Sequence, residues 1–181
     1  MIELDRISDE VYVTRSAVVS LGDAEIEFLK AQAVSSPKGR ARICAHRSSD
    51  DSLHEMLIVL SRESYVQPHK HLGKSESFHI IEGEVDVAIF DDVGQISDVV
   101  SLGAMGTGRK FFYRLSDSRF HTLLIHSDML VMHEVTNGPF IKGQSINASF
   151  SPSDGNPEET KIYMKNIARE VLEWQQSRTR S

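Results

Sequence analysis

The sequence predicts a mainly β fold, an antiparallel double-sheet sandwich or barrel with a short helix near each end. From residue 42 onward the apolar residues alternate with polar ones, which is typical of strands that bury one face. Turn signals such as Glu82-Gly83 and Asn137-Gly138-Pro139 separate the runs. Double-sheet barrels of this kind include the jelly rolls. The predicted strands cover residues 43–46, 53–60, 65–71, 76–82, 85–90, 96–102, 110–115, 121–125 and 130–136.

Local signals predict the two helices. Asp23 is a candidate N-cap for an early helix that ends before the stop at residues 35–37. In the tail, Asn156 is the expected cap and Pro157 the first helical residue. An apolar stripe follows at helical spacing, and we expect the chain's own barrel, rather than a second subunit, to bury it. The stripe consists of Tyr163, Ile167, Val171 and Trp174.

The composition favours one domain. With 181 residues, 40% of them apolar, the chain is long enough to close one sizeable core, and it contains no internal repeat. We therefore expect a single domain over 1–181, made of an N-terminal arm with a short helix (1–41), a barrel (42–150) and a helical tail (151–181).

Charge and hydropathy exclude several classes of function. A net charge of −6 opposes a nucleic-acid surface, which needs clustered Lys and Arg. No segment approaches the roughly 20 apolar residues that span a bilayer, and residues 1–6 lack the pattern of a signal peptide. The expected location is the cytoplasm. Cys44 has no partner for an intrachain disulfide and is expected to be a buried core residue.

Two histidines and a glutamate have the spacing of metal ligands. His69 and His71 lie two residues apart on a predicted strand, so both imidazoles point to the same side. A short turn at residues 72–75 follows, and Glu76 then opens the next predicted strand. The turn brings a carboxylate beside the two imidazoles.

The same residues resemble the first motif of the cupins. The motif reads His-X-His, four residues, Glu, six residues and Gly83, and His121 stands where the second cupin motif supplies its histidine. Glu63 replaces a usual glycine of the first motif. Three residues depart from the Pro, Gly and Asn of the second: Ser116, Ser118 and Ile125. Within the cupins, residues 56–140 resemble the WbuC-type cupin-fold metalloproteins, most closely at 56–59, 64–69, 74–79 and 133–140, with a similar lead-in at 40–46.

The resemblance implies a jelly-roll barrel that forms a homodimer and holds one metal ion through His69, His71, Glu76 and His121. Three imidazoles and a carboxylate suit Fe, Mn, Co, Ni or Zn rather than Ca or Mg, which prefer oxygen ligands. Four protein ligands leave coordination positions open for a substrate or for water. Two further histidines, His79 and His126, fall on the opposite strand parity and are expected to face outward.

Five residues are candidates for contact with a small polar or anionic molecule. Tyr113 shares the parity of barrel-lining positions and offers a phenol as a hydrogen-bond donor. Arg40 and Arg42 precede the first barrel strand, and their guanidinium groups can clamp a carboxylate or phosphate. His133 and Glu134 are adjacent on one strand, so only one of them can face the cavity. Tyr113, His133 and Glu134 are also the candidates for catalysis.

Three functions remain open from the sequence. The first, towards which the residues lean, is a metal-dependent enzyme of unspecified reaction; the WbuC resemblance implies a sugar or nucleotide-sugar intermediate of surface polysaccharide biosynthesis as its substrate. The second is an iron-dependent dioxygenase, because the same ligand set holds iron in several oxygen-using cupins. The third is a non-catalytic module in which the metal only orients a bound sugar or effector.

Overall fold

Two β-sheets pack face to face in the structure, a computed structural model that describes residues 2–179. The strands are β1 (Leu4–Arg6), β2 (Val11–Thr14), β3 (Arg40–Cys44), β4 (Leu53–Ser61), β5 (His69–His71), β6 (Glu76–Glu82), β7 (Glu84–Phe90), β8 (Ile96–Gly103), β9 (Phe112–Leu115), β10 (Phe120–Ile125), β11 (Met129–Asn137) and β12 (Ser145–Asn147). The helices are α1 (Asp23–Ser35) and α2 (Pro157–Thr179). Among these described residues, the larger sheet has the strand order β1-β2-β3-β4-β11-β6-β9, and the smaller has the order β12-β5-β10-β7-β8.

The mainly β, double-sheet architecture is confirmed, and each strand predicted between residues 42 and 136 is present, β6 with the predicted ends and the others with shifted ends. The run predicted at 65–71 is regular only over His69–His71. Pro68, just before it, has no N–H to donate to a ladder. The pairing is antiparallel except between β2 and β3, which run parallel. A parallel pair needs a long crossover connection, and α1 lies in it.

The N-terminal helix covers the outer face of the larger sheet. Leu29 and Ala33 of α1 are fully buried in a cluster with Ile43, Leu57 and Val59 from β3 and β4. The helix begins one residue earlier than predicted, since Gly22 rather than Asp23 is its N-cap. The cap lacks a side-chain oxygen, and the Glu25 carboxylate accepts a hydrogen bond from the Gly22 N–H at 3.0 Å instead.

The C-terminal helix covers the outer face of the smaller sheet. Ile167 is 3% exposed and Val171 is 1% exposed, packed in a cluster that contains Phe90 and Phe120. Ile167 and Val171 of the predicted stripe are therefore buried as expected, and the chain's own barrel provides the surface, whereas Tyr163 and Trp174 are only partly buried. Asn156 accepts a hydrogen bond from the Glu159 N–H at 3.4 Å, as expected for the cap. Within residues 2–179, the helices fall short of the length and apolarity needed to cross a bilayer.

The principal core fills the space between the two sheets. Its buried members alternate along each strand, as the period-two pattern predicts. They include Ile58, Leu60, Phe78, Ile80, Val85, Val87, Leu102, Leu123, Ile125 and Met132. Cys44 belongs to the same cluster, and burial raises the pKa of its thiol. The predicted core role of Cys44 is confirmed.

The turn between β6 and β7 requires glycine at position 83. Gly83 has a φ of +87°, and a Cβ there would overlap the Ser127 hydroxyl and the Met129 carbonyl oxygen. We expect Gly83→Ala to lower the free energy of unfolding by about 2–4 kcal/mol, from backbone strain and overlap together. Gly73→Ala is the matched control, because Gly73 also has a positive φ but open space around it. Denaturant unfolding should show a loss of only about 1 kcal/mol there; equal losses would contradict the overlap.

Candidate metal centre

The four predicted ligands meet where the two sheets approach each other at one end of the barrel. His69 and His71 lie on β5, His121 on the neighbouring β10 directly opposite His69, and Glu76 at the start of β6 in the other sheet. One nitrogen or carboxylate oxygen from each side chain lies within 4.8 Å of the corresponding atoms of the other three. The predicted convergence of these side chains is thus present in the structure.

Each imidazole is oriented by a hydrogen bond that its Nδ1 atom makes. The Nδ1 of His69 lies 2.9 Å from the Gln67 carbonyl oxygen, and that of His121 lies 3.0 Å from the Arg119 carbonyl oxygen. The Nδ1 of His71 lies 2.7 Å from the Ser145 hydroxyl. A carbonyl can only accept, so Nδ1 of His69 and His121 carries a proton, and in the neutral ring Nε2 keeps the lone pair. Such outer hydrogen bonds orient histidines that ligate metals.

The Glu76 carboxylate lies against the free Nε2 atoms. Its Oε1 is 2.6 Å from Nε2 of His121, and its Oε2 is 3.3 Å from Nε2 of His71. Both Oε1 of Glu76 and Nε2 of His121 are buried and without a hydrogen-bond partner among the described residues. Two lone pairs at this distance repel unless a cation or a proton lies between them. The residues present therefore fit a metal ion.

The electrostatics favour a neutral His69 and an ionised Glu76, as metal binding needs, and a proton on His121 that a metal ion would displace. Burial and the neighbouring His121 lower the pKa of His69 to about 4, so its imidazole is neutral at pH 7. Burial alone would raise the pKa of Glu76, but His121 and His71 hold it well below its usual range. Burial would likewise lower the pKa of His121, but the Glu76 carboxylate raises it. A bound cation would replace the proton that His121 and Glu76 attract between them.

The centre opens onto a cavity of about 530 Å³ between the sheets. Its lining includes all four candidate ligands and both predicted arginines. Arg40 forms an ion pair with Glu10, with 2.8 Å between Nε and Oε2. Arg42 is exposed, and its charge acts on Cys44 and Glu134. Both arginines thus line the cavity, with the Arg40 guanidinium paired to Glu10 and that of Arg42 exposed.

Tyr113 lies apart from that lining. Its side chain points inward, as its parity predicts, but it is 5% exposed and packs on Phe78 with 5.3 Å between the ring centroids. Burial and the charge of Glu76 raise the pKa of its phenol. The ring fills the core below the centre, and among the described residues its hydroxyl has no hydrogen-bond partner.

His133 and Glu134 lie on opposite faces of the larger sheet, as the strand register shows. Glu134 pairs with Phe78 on the inner face and lines the cavity. His133 pairs with His79 on the outer face, and its Nε2 lies 3.7 Å from a Glu55 carboxylate oxygen. Burial and the nearby Glu76 raise the pKa of Glu134 to about 7, while the charge of Arg42 opposes that rise. Of the two candidates, Glu134 is therefore the one that faces the ligand space.

The two histidines predicted to face outward do so. His79 contacts the Phe111 ring at a centroid distance of 5.4 Å, and its side chain is exposed. The Nε2 of His126 lies 2.9 Å from the Asp86 carboxylate on the surface covered by α2. Neither residue lines the cavity.

Sequence reasoning missed several residues of this site. His46 and His54 also line the cavity, with their rings stacked at 4.0 Å, and Nε2 of His54 is buried without a partner among the described residues. Ser145, which orients His71, lies on a strand of only three residues. Its signal in the sequence is weak, because an isolated serine just after Gly143 predicts only a loop.

The strand order and the site together define the fold class. The chain is a double-sheet barrel that carries His-X-His on one strand, a glutamate on a strand of the opposite sheet and a third histidine beside the first, the arrangement that the resemblance to the cupins implies. The fold implied by the sequence resemblance is confirmed at this level.

A family model described as a domain of unknown function (DUF6016) matches residues 21–102. No curated protein matches the chain. The crystal structure of protein SO0799 from Shewanella oneidensis is 11% identical, with 71% of this chain and 85% of that chain covered and a TM-score of 0.53. This likeness shows the fold alone.

Two further structures match more weakly. A cupin superfamily protein (DSY2733) from Desulfitobacterium hafniense is 12% identical, with 54% of this chain and 76% of that chain covered and a TM-score of 0.42. Oxalate decarboxylase from Bacillus subtilis is 16% identical, with a TM-score of 0.44. The match covers 54% of this chain and 24% of the decarboxylase chain.

Proposed function

We propose that the protein is a metal-dependent cupin that binds one divalent transition ion and acts on a small, oxygen-rich anionic molecule. The observation that carries this proposal is the buried contact between Glu76 and His121, whose facing atoms lack a hydrogen bond in the described structure. The outer hydrogen bonds of the three imidazoles support it further, because they direct Nε2 of each histidine into one centre.

The donor set indicates the class of metal. Three imidazole nitrogens and one carboxylate suit Fe, Mn, Co, Ni or Zn. When bound, such an ion would polarise an oxygen of the substrate or activate water. His69 and His71 are only partly buried and line the cavity, so the open side of the centre faces the ligand space.

The charges of the cavity lining favour an anionic ligand. Among the described lining residues, Glu10 pairs with Arg40 and Glu76 belongs to the metal centre. The remaining charged side chains of the lining are one acidic residue, Glu134, and three cationic ones: Arg42, Arg47 and Lys74. Guanidinium groups bind carboxylates and phosphates through two parallel hydrogen bonds. Arg42 is the residue we assign to hold the anionic group of the ligand.

Glu134 is the residue we assign to proton transfer. It lies opposite Phe78, two residues along β6 from Glu76, so its row of the sheet is about 7 Å along the strand from the row of Glu76. A carboxyl group whose pKa lies near the working pH can both accept and return a proton. The pKa of about 7 places Glu134 in that range.

The finer identity of the ligand follows from the sequence resemblance. The WbuC-like stretches within residues 56–140 point to a sugar or nucleotide-sugar intermediate of surface polysaccharide biosynthesis and to a homodimer. The iron dioxygenase and the non-catalytic binding module are the alternatives that the experiments must separate.

Elemental analysis of anaerobically purified protein tests the proposal first, and we expect one transition-metal ion per chain. Mass spectrometry of the same sample identifies any copurified small molecule, and oxygen uptake by the metal-loaded protein separates a dioxygenase from the other functions. Turnover of the identified molecule, against binding alone, separates an enzyme from a binding module.

Ligand binding supplies the second test. Sugar phosphates, nucleotide sugars and small hydroxy acids are titrated against metal-loaded protein, and Arg42→Ala should weaken binding about tenfold to a hundredfold. Arg62→Ala is the matched control, because Arg62 pairs with Asp128 away from the cavity. Binding that is indifferent both to metal removal and to Arg42→Ala contradicts the proposal and favours a structural metal.

A further inference from the structure

Tyr113 carries a buried polar group to which the proposed function gives no role. Its side chain is 5% exposed, and among the described residues its hydroxyl has no hydrogen-bond partner. A hydroxyl that is buried in this way destabilises a protein, because it has lost its hydrogen bonds to water and gained none. An unpaired group in a native core therefore points to a partner that becomes available in another state of the molecule.

The metal ligand Glu76 lies diagonally across from Tyr113. On β9, Tyr113 pairs with Phe78, and Glu76 is two residues from Phe78 on the same inner face of β6. Diagonal neighbours on one face of an antiparallel pair are about 7–8 Å apart, within reach of aromatic and long side chains. After burial, the charge of Glu76 is the largest cause that raises the pKa of the phenol, ahead of the charges of Arg119 and Asp98. The phenol therefore stays protonated and can donate.

The Glu76 carboxylate needs an outer hydrogen bond when it binds a metal ion, as ligating carboxylates generally do. Its close neighbours in the structure are the Nε2 atoms of His121 and His71, the same atoms that would bind the ion. Thr136 lies opposite Glu76 on β11, but its hydroxyl already donates to a backbone carbonyl oxygen at 3.0 Å. Of the two hydroxyl groups beside Glu76 on the neighbouring strands, that of Tyr113 is the one left without an acceptor in the described structure.

We infer that Tyr113 donates a hydrogen bond to the Glu76 carboxylate in the metal-bound protein and thereby positions Glu76 as a ligand. This inference rests on the proposed function, because it takes Glu76 as a ligand of the metal. Tyr113 does not line the cavity, so it is a positioning residue rather than a catalytic one. Its hydroxyl favours the metal-bound protein and disfavours the metal-free protein, in which it is buried without a partner.

Tyr113→Phe tests this, because the substitution removes the hydroxyl and keeps the ring. We expect the affinity for zinc, measured by competition with a chromophoric chelator, to fall about 10- to 100-fold. The melting temperature of the metal-free variant should equal or exceed that of the metal-free unaltered protein, because an unpaired buried hydroxyl is gone. Weaker zinc binding without a loss of stability is a combination that a purely structural role would not produce.

Tyr163→Phe is the matched control. The hydroxyl of Tyr163 is also buried without a partner among the described residues, but its side chain packs between α2 and the outer face of the smaller sheet. Its removal should leave the zinc affinity unchanged.

Three results would overturn the inference and leave the proposed metal function intact. They are a zinc affinity that is unchanged in Tyr113→Phe, an equal loss of affinity in Tyr163→Phe, and a lower melting temperature of metal-free Tyr113→Phe, which would show that the hydroxyl already has a partner. Failure of the unaltered protein to bind zinc or any other of the candidate metals would overturn the proposed function and the inference with it.

Discussion

Replacing His71 with alanine is expected to reduce bound metal from one ion per chain to a small fraction of that value. The substitution removes one of four ligands and leaves the Oε2 atom of Glu76 without the nitrogen that lies 3.3 Å from it. Altering a residue that only orients a ligand already costs about 10- to 100-fold in metal affinity, so loss of a ligand itself should cost more. Elemental analysis after dialysis against a weak chelator measures the result.

His79→Ala is the matched control for this experiment. His79 lies on β6 three residues from Glu76, but its ring packs on Phe111 outside the barrel. Its removal should leave the metal content at one ion per chain. A double variant, His69→Ala with His71→Ala, that still retained stoichiometric metal would show that the ion binds elsewhere.

Ile167→Ala is expected to lower the free energy of unfolding by about 2–4 kcal/mol. The side chain is 3% exposed, in the cluster that joins α2 to the outer face of the smaller sheet, so alanine leaves a cavity there. Ile162→Ala, one and a half turns earlier in the same helix, is the matched control because Ile162 is 61% exposed. Denaturant unfolding should show a change below about 0.5 kcal/mol for the control.

Truncation after Pro152 extends the same test to the whole helix, and we expect a larger loss of thermal stability than from Ile167→Ala. An unchanged melting temperature after truncation, or equal effects of Ile167→Ala and Ile162→Ala, would show that α2 contributes little to the stability of the barrel.

Much of the barrel could be predicted because its strands bury one face each. The alternation of Phe78 and Ile80 with His79 determined which side chains of that strand face inward. The short strands β1, β2 and β12 could not be found in this way. They contain three or four residues each, and most of these residues are not buried. The alternation of apolar and polar residues therefore spans too few positions to reveal them.

The metal ligands could be predicted because their spacing is local, whereas the rest of the cavity depends on contacts across the sheets. Parity shows that His133 and Glu134 face opposite ways, but only the register of β11 against β4 and β6 places Glu134 inside. His54 reaches the metal end through Thr136, on a strand more than 80 residues away in sequence. Tyr113 faces inward as predicted, but its depth in the core depends on its packing against Phe78.

The central claim is that one ion binds between the two sheets through His69, His71, Glu76 and His121. Anomalous diffraction from crystals of the metal-loaded protein, recorded on both sides of the absorption edge of the metal, tests it most directly. We predict one peak per chain, about 2.0–2.2 Å from Nε2 of the three histidines and from a carboxylate oxygen of Glu76. A fully loaded crystal with its peak at any other set of side chains, or with Nε2 of His121 still in contact with Glu76 and no ion between them, would contradict the claim.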